Sequence, residues 1–375
     1  MYRKLFQSDI LFTGYYGQLN TGDDAFIEVA SWGADKYWKK CQNIFLAKEA
    51  NLPDTSKVTR GYPFSIPKTY SLQSKILLRS TNYLISAGGS TIHSELPANN
   101  IKRLAVERKK SGKPLKIGGI GVSIGPFKSL SDEKATVEYL KNIDFLAVRD
   151  QASFDFVSTI NLPYQTINAF DLAALLPDIY GLNKIETTIT SKKAIGISVC
   201  PYESIISQDN IENEHRRNSN IVELLKHLDI DNNIHRKFFV INGNPRVGDL
   251  KLTLETIERV APKSFEIIHY TKKTRTVWNE VESCDFVIST RLHAAIFACF
   301  SNTPFMLNEY HRKCGDFLDN VGYEENLRLF NNEYSPKEKA GMITNILNGN
   351  HKYPYPKHTE KMKHKSELNF TGIEL

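Results

Sequence analysis

The sequence predicts an α/β protein made of two doubly wound parallel-sheet domains that face a cleft. Short apolar runs rich in β-branched residues alternate with helical patterns along most of the 375 residues. This alternation stops at a polar connector at about 180–192 and then begins again. Such alternation is typical of parallel sheets covered by helices on both faces. The cleft between two such domains is the expected ligand site.

The predicted elements follow the chain in order. In the first half, strands are expected at 9–13, 43–47, 83–87, 115–122 and 144–148, with helices that include 23–39, 101–110, 132–140 and 151–158. In the second half, strands are expected at 194–199, 237–241, 265–269, 285–289 and 304–308, with helices at 220–228, 250–260, 274–282 and 292–300. The predicted domains are therefore an N-terminal α/β domain at 1–180, a C-terminal α/β domain at 193–350 and a basic tail at 351–375.

Composition limits the class of protein. With 41% hydrophobic and 24% charged residues, the chain has the composition of a soluble globular protein. It contains no apolar run of the roughly 18 residues that a membrane-spanning helix needs, and the N-terminus lacks the apolar core of a secretory signal. We therefore expect a cytoplasmic protein. The five cysteines are odd in number and form no C-x-x-C pair, which predicts reduced thiols without a disulfide framework or a metal site.

The charge of the chain allows anionic ligands. The net charge of +6 is mild for this length; it would favour binding of anions, and an ordinary solvated surface explains it equally well. The basic residues of the tail would allow peripheral contact with the inner face of a membrane, and the alternative is a loosely packed polar end. A nucleic-acid partner is not expected, because the basic residues are spread along the chain and no base-stacking module is present.

The most informative fragment runs from Ser289 to Ala298. It follows an apolar strand and leads into an Ala-rich buried helix, so Arg291 and His293 are expected where the carboxyl end of a strand meets a helix. The first N–H groups of that helix would help a guanidinium and an imidazole to hold an anion. The alternative is a His packed in a turn and an Arg paired with a surface carboxylate.

A glycine-rich turn at 14–22 follows the first strand and opens the first long helix. It matches neither the dinucleotide-binding fingerprint nor a P-loop. Asp23 and Asp24 would repel a phosphate at the helix start and suit hydroxyl groups instead, as hydrogen-bond acceptors or as a general base. Together with Asn20 they predict a sugar-binding turn. The alternative is simple N-capping of the helix by Asp23, worth ~1 kcal/mol.

Small residues also follow two further apolar strands, in Gly88-Gly89-Ser90 and at 118–126. Small side chains at adjacent strand ends would leave room above the sheet for a ligand, or they would only permit close helix packing. Arg149 ends another predicted strand. A lone Arg at such a place is more often an ion-pair partner than a ligand contact.

Taken together, these motifs resemble the polysaccharide pyruvyl transferase family. The matches cover about residues 9–320, and in order they are G-Y-Y-G-Q-L-N-T-G-D-D-A from Gly14, G-G-S-T from Gly88, G-I-G-V-S-I-G-P from Gly119, A-V-R-D from Ala147, I-S-T-R-L-H-A from Ile288 and E-Y-H-R-K from Glu309. The chain departs from the family pattern at G-D-D, where many relatives have G-D-E, and at His93, which interrupts the second glycine run.

The resemblance implies a fold similar to the two-domain GT-B glycosyltransferases. It also implies transfer of the carboxyvinyl unit of phosphoenolpyruvate onto two hydroxyls of a sugar, which forms a cyclic ketal and releases phosphate. His293 would be the central catalytic residue, and the donor would be bound by Arg149, Arg291 and Lys313. Asp23 and Asp24 are the expected carboxylates for the hydroxyl proton, and the acceptor side would include Asn20, Gly88, Gly89 and Ser90.

No metal or cofactor is expected, since phosphoenolpyruvate is a co-substrate, and the acceptor is a saccharide, free or linked to a polyprenyl diphosphate. Two other functions stay open. A GT-B glycosyltransferase would use a nucleotide sugar and would need a carboxylate for the ribose, for which Glu309 is the nearest candidate. A sugar- or anion-binding protein without turnover is the non-enzymatic alternative.

Overall fold

The computed structural model describes residues 5–182, 192–206, 210–228, 233–331 and 333–375. The connector expected at about 180–192 falls largely on 183–191, outside the described residues. The chain forms two compact units. The first comprises Met1–Gln18, Asp23–Ile179 and Glu360–Leu375, and the second comprises Leu19–Gly22 and Tyr180–Thr359.

The first unit is built on a seven-stranded sheet in the order β3-β2-β1-β4-β5-β6-β7, in which all neighbouring strands are parallel. The strands are β1 Ile10–Thr13, β2 Asn43–Lys48, β3 Thr59–Tyr62, β4 Tyr83–Ile92, β5 Lys116–Ile124, β6 Phe145–Val148 and β7 Thr166–Asn168. The helices are α1 Thr21–Trp38, α2 Tyr70–Arg79, α3 Ile101–Lys110, α4 Leu130–Leu140, α5 Gln151–Ser158 and α6 Leu176–Tyr180.

The central strands are apolar because helices cover both of their faces. In β1 the residues Ile10, Leu11 and Phe12 are fully buried, and Leu11 is in register with Leu84 of β4. Polar residues mark where the helices begin. Ser129 starts α4 and accepts a hydrogen bond from the N–H of Asp132, the arrangement expected of an N-cap.

The second unit contains a five-stranded parallel sheet in the order β10-β9-β8-β11-β12. Its strands are β8 Lys193–Ser198, β9 Ile234–Phe239, β10 Phe265–Ile268, β11 Phe286–Ser289 and β12 Phe305–Leu307. Its helices are α7 Glu203–Ile206, α8 Ile211–His227, α9 Leu250–Val260, α10 Thr274–Glu282, α11 Leu292–Phe300, α12 Arg312–Val321 and α13 Pro336–Leu347. The order places β8, β11 and β12 side by side. Because the strands are parallel, the residues that follow them lie together at the carboxyl ends of the strands.

The fold class predicted from the sequence is confirmed: both sheets are parallel and are connected through helices. Every predicted strand is present, although β4 extends to Ile92 and so includes the small residues expected to form a turn. The prediction missed β3 and β7, which are short and lie at the two edges of the first sheet. It also began α8 at residue 220, whereas this helix starts at Ile211.

The C-terminal residues differ from the basic tail that the sequence predicts at 351–375. Residues Thr359–Thr371 form a helix, α14, and the segment Glu360–Leu375 belongs to the first unit. Phe370 is buried and stacks on Tyr37, and Trp38 Nε1 donates to the carbonyl of Phe370 at 3.0 Å. Buried apolar side chains therefore hold this segment in place, which a count of its lysines does not reveal.

Candidate active site

Arg291 and His293 lie at the junction between β11 and α11, as the sequence predicts. Arg291 is the residue before the helix, with an extended backbone, and α11 begins at Leu292. All residues of α11 are buried except His293, which is partly exposed. The Ala-rich sequence lets this helix pack closely in the core, so its first turn and its free N–H groups are fixed at the carboxyl edge of the sheet.

A buried carboxylate holds Arg291. Arg291 Nε lies 2.9 Å from Oδ1 and 3.1 Å from Oδ2 of Asp249, and Nη2 also donates to Oδ1. Asp249 is fully buried, while the side chain of Arg291 retains 18% exposure. Burial raises the pKa of Asp249, and the charge of Arg291 opposes this effect. The suggested pairing with a surface carboxylate is thus wrong in one respect, because the partner is inside the protein.

The short segment Leu19–Gly22 belongs to the second unit by its contacts. Asn20 forms an antiparallel bridge with Asn242, in which Thr21 N donates to the carbonyl of Ile241 at 2.9 Å. Asn242 N in turn donates to Asp249 Oδ2 at 2.8 Å. The segment is therefore connected by backbone hydrogen bonds to the carboxylate that holds Arg291.

Gly22 lies directly against the ring of His293. A Cβ atom at position 22 would overlap this ring, 2.6 Å from Cε1 and closer still to Nδ1 and Cγ. Only a glycine leaves room for the imidazole in its present position. One end of the N-terminal glycine-rich turn thus forms part of the surroundings of His293.

The structure changes the interpretation of the acidic residues after this turn. Helix α1 begins at Thr21, and Asn20 Oδ1 accepts a hydrogen bond from Gly22 N at 3.0 Å. N-capping by Asp23 is therefore wrong, because Asp23 lies inside the first turn. Asp24 is fully buried and Asp23 is partly buried, and both belong to the first unit.

Lys313, like Arg291, lies at the carboxyl ends of the strands of the second sheet. It is the second residue of α12, which follows β12, the strand next to β11. His311 Nδ1 accepts from Lys313 N at 3.1 Å, and Lys313 Nζ lies 5.8 Å from the centre of the Tyr310 ring. Cys200 follows β8 at the same end of the sheet and is buried. Burial raises the pKa of its thiol, so the thiol stays protonated near neutral pH.

Arg149 lies in the first unit, at the end of β6, and is mostly buried. Its Nη1 lies 2.9 Å from Oδ2 of Asp171, and Nε donates to Ser123 Oγ at 2.7 Å. Nη2 reaches Ser90 Oγ at 3.4 Å. The structure therefore brings Arg149 together with Ser90, which was expected on the acceptor side. It also shows that Arg149 has an ion-pair partner, Asp171, as the alternative interpretation of this arginine predicts.

The two glycines before Ser90 have different surroundings. Both have a positive φ, +74° at Gly88 and +76° at Gly89. A Cβ at Gly88 would overlap the ring of Phe26, whereas at Gly89 the nearest atom is Thr91 Cγ2 at 3.7 Å. Gly88 thus serves helix packing, whereas a Cβ at Gly89 would make only ordinary van der Waals contacts.

The family of the chain follows from comparison with known proteins. The family model of polysaccharide pyruvyl transferases matches residues 20–312, most of the chain. The chain belongs to this family. No curated protein gives a match in sequence.

Solved structures show the same fold at low sequence identity. The S. aureus MnaA–UDP structure has 11% identity and a TM-score of 0.61, and covers 98% of this chain and 99% of its own. The UDP-GlcNAc 2-epimerase of Methanocaldococcus jannaschii has 12% identity and a TM-score of 0.56, covering 96% and 97%. The Neisseria meningitidis enzyme bound to UDP-GlcNAc has 12% identity and a TM-score of 0.56, covering 96% and 94%. These similarities show a GT-B-like fold.

Sequence reasoning on this pyruvyl transferase missed two aspartates that hold candidate arginines: Asp249 holds Arg291 in the second unit, and Asp171 holds Arg149 in the first. It identified Gly22 as part of the glycine-rich turn but not its contact with the His293 ring. Each of these contacts joins residues far apart in sequence, and no local pattern distinguishes Asp249 and Asp171 from other aspartates. For the two aspartates, the only available signal in the sequence was a carboxylate in a loop close to the end of a strand.

Glu309, the candidate ribose ligand, already has a partner in this pyruvyl transferase. Its carboxylate forms a fork with Arg328, with Oε1 2.7 Å from Nε and Oε2 3.0 Å from Nη2. In the described part of the chain, no group of three or more His, Cys, Asp or Glu residues could hold a metal ion. No helix among the described residues is long and apolar enough to cross a membrane.

Proposed function

We propose that this pyruvyl transferase moves the pyruvyl unit of phosphoenolpyruvate onto two hydroxyls of a sugar, in a polysaccharide or in a lipid-linked precursor. The observation that carries the proposal is the position of Arg291, His293 and Lys313 at the carboxyl ends of the adjacent strands β11 and β12. Phosphoenolpyruvate carries a carboxylate and a phosphate within a few ångströms. Arg suits the two-pronged geometry of such groups, and Lys supplies a compact charge.

The reaction needs a proton donor and a stabilised leaving group. One proton is added to C3 of the donor, and a sugar hydroxyl attacks C2 and loses its proton to a base. A second hydroxyl then attacks C2 as the C2–O bond to phosphate breaks, and its proton leaves with the phosphate, which closes the ketal. His293 is the proposed proton donor, because imidazole gives and takes protons near neutral pH. Arg149, Arg291 and Lys313 are the proposed cations for the donor.

Asp249 supports this assignment of Arg291. A guanidinium held on one side by a buried carboxylate is fixed in direction, while its 18% exposure leaves part of it accessible to a ligand. Preorganised charge of this kind stabilises a developing anion without having to reorganise during the reaction. For the acceptor, Asp23 or Asp24 is the proposed base, with Asn20, Gly89 and Ser90 as further contacts and Gly88 as a packing residue.

The proposal is tested by measuring phosphate release from phosphoenolpyruvate with a panel of galactosides, glucosides and mannosides. Calorimetry on the same protein should show binding of phosphoenolpyruvate and none of UDP- or GDP-sugars. Binding of a nucleotide sugar without any effect of phosphoenolpyruvate would favour the glycosyltransferase. Binding of phosphoenolpyruvate without turnover on any acceptor would favour the anion-binding protein.

A further inference from the structure

Helices α2 and α3 form one outer face of the first unit. Each connects two parallel strands while the chain moves in the same direction across the sheet, from β3 to β4 and from β4 to β5. Right-handed crossovers in one direction place their helices on the same side of a sheet, and the two helices are in contact. We call the outward surface of α2 and α3, with the turn at 65–69 that leads into α2, the basic face.

Two large aliphatic side chains are exposed at one end of the basic face. Ile66 in the turn is 55% exposed, and Leu72 in the first turn of α2 is 60% exposed. Single exposed aliphatics are common, but these two lie six residues apart among cations. Both follow the carboxyl end of β3. They therefore lie on the side of the sheet where the strands end, as do Gly89 and Ser90 near the end of β4.

The charge of this face is almost entirely positive. Lys68, Lys75 and Arg79 are exposed at helical spacing with Leu72, and α3 adds its own exposed cations, Arg103 and Lys110. The single acidic residue of α2 and α3 is Glu107, which pairs with Arg103 at 3.2 Å. The segment 65–116, which carries this face, contains ten Lys and Arg, one of them the buried Lys102, against two Glu, a formal net charge of +8, whereas the whole chain has +6.

This distribution corrects one expectation from the sequence. The basic residues are not spread evenly, because the rest of the chain is slightly acidic in total. In the tail, Lys363 pairs with Asp178, and Lys365 Nζ donates to Asn168 Oδ1 at 2.7 Å, whereas Lys352, Lys357 and Lys361 are exposed.

We propose that the basic face docks the protein on an anionic phospholipid bilayer. Cations flanking exposed aliphatics are the pattern of peripheral membrane-binding helices, in which the charges meet lipid phosphates and the aliphatics enter the headgroup boundary. A nucleic acid would share the electrostatic attraction but would be expected to meet stacking aromatics in place of Ile66 and Leu72. Docking would hold the carboxyl edge of the first sheet near the lipid surface, where a lipid-linked acceptor would be found.

The test is co-sedimentation of the full chain with vesicles, in the absence of either substrate, so that the result does not depend on the proposed transferase activity. Phosphatidylcholine vesicles are compared with vesicles that also contain phosphatidylglycerol. The charge variant is Lys68→Gln/Lys75→Gln/Arg79→Gln, and the aliphatic variant is Ile66→Ser/Leu72→Ser. The matched control is Lys251→Gln/Leu254→Ser, an exposed pair on α9 with acidic neighbours Glu255 and Glu258.

The wild type should bind only the vesicles with phosphatidylglycerol, and less at high salt. Each cation near such a surface contributes about fivefold in affinity, so the charge variant should lose on the order of 10²-fold. The aliphatic variant should lose about tenfold or more, and the control should bind as the wild type does. Equal binding to both vesicle types, or charge and aliphatic variants that bind as the control does, would overturn the proposal. Loss in the charge variant alone would also overturn it, in favour of a general polyanion surface that binds nucleic acid.

Discussion

The imidazole of His293 packs against the backbone of Gly22, and no side chain fits between them. The contact joins the start of α11 to the end of the N-terminal glycine-rich turn, within the second unit. It gives this glycine a role that the turn itself does not explain, since Gly22 does not have a positive φ.

Gly22→Ala should displace the His293 ring. The added methyl group overlaps the ring, so we expect a loss on the order of 10²-fold in kcat, the effect of misplacing a reacting group by about 1 Å. We also expect a loss of about 1–3 kcal/mol in the free energy of unfolding from overpacking. Phosphate release and thermal unfolding measure the two effects.

Two further variants make this test specific. Gly341→Ala is the matched control, because a Cβ at that helical position meets no atom within 4 Å. In Gly22→Ala/His293→Ala the ring is gone, so the stability lost in the single Gly22 variant should return. If the double variant were as unstable as the sum of both changes, the overlap with His293 would not be the cause.

Asp249→Asn should weaken binding of phosphoenolpyruvate. The amide cannot hold the guanidinium of Arg291 in the same charged fork, so we expect at least a tenfold rise in the donor Kd together with a lower stability. The comparison is Glu309→Gln, which breaks the similar fork with Arg328 in the same unit. That variant should lose stability but keep donor affinity. Equal donor affinity in both variants would limit Asp249 to a structural role.

Arg149→Lys tests whether the second candidate arginine binds the donor. Lysine keeps the charge but cannot contact Asp171, Ser123 and Ser90 together. If Arg149 contacts phosphoenolpyruvate, the donor Kd should rise at least tenfold. Ser123→Ala, which removes one neutral partner, should change the donor Kd by less than threefold, about 0.7 kcal/mol. Unchanged donor affinity in Arg149→Lys would show that this arginine is only an ion-pair partner.

The fold was predictable because its signal is local. The residues of α9 and α10 repeat apolar side chains at helical spacing, α11 is apolar throughout except for His293, and the central strands are continuous apolar runs. Strand β3, with the sequence Thr-Arg-Gly-Tyr, and strand β7, with Thr-Ile-Asn, lack such runs because edge strands are partly exposed. Backbone pairing with a neighbour defines them, and no pattern within three or four residues predicts it.

The candidate site was predictable only in part. Arg291 and His293 follow a predicted strand, and the rule that ligands bind at the carboxyl ends of strands predicted them. Lys313 was expected only from the resemblance to the pyruvyl transferase family. Their supports could not be found in this way. Asp249 and Gly22 contact residues far along the chain, so their roles depend on the tertiary structure.

Lys102 should make stability depend on pH between about 7 and 10.5. It is 5% exposed, and burial lowers its pKa to about 7, while Nζ donates to the carbonyl of Thr91 at 2.6 Å. In this range the unfolded chain binds a proton that the folded chain does not, so stability rises with pH. Below pH 7 both states are protonated and the cost of burying the charge is fully present.

Lys102→Met removes this cost. The variant should gain on the order of a few kcal/mol in the free energy of unfolding at pH 7, and the gain should shrink towards pH 10.5. Unfolding by urea at several pH values measures it, with Lys110→Met as the exposed control on the same helix. A gain that stays constant from pH 7 to pH 10 would mean that the pKa of Lys102 is not lowered.

His293 is the residue on which the proposed mechanism depends most. If it gives the proton to C3 of the donor, His293→Ala should lose on the order of 10²–10⁴ in kcat, the usual contribution of a positioned acid or base. His293→Gln keeps a hydrogen-bonding group of similar size but cannot transfer a proton, so it should be nearly as inactive. In both variants the Kd of phosphoenolpyruvate, measured by calorimetry, should change far less than kcat, because Arg291 and Lys313 remain. If His293→Gln instead kept most of the turnover while its donor Kd rose, His293 would be a phosphate-binding residue, and another group would have to protonate C3.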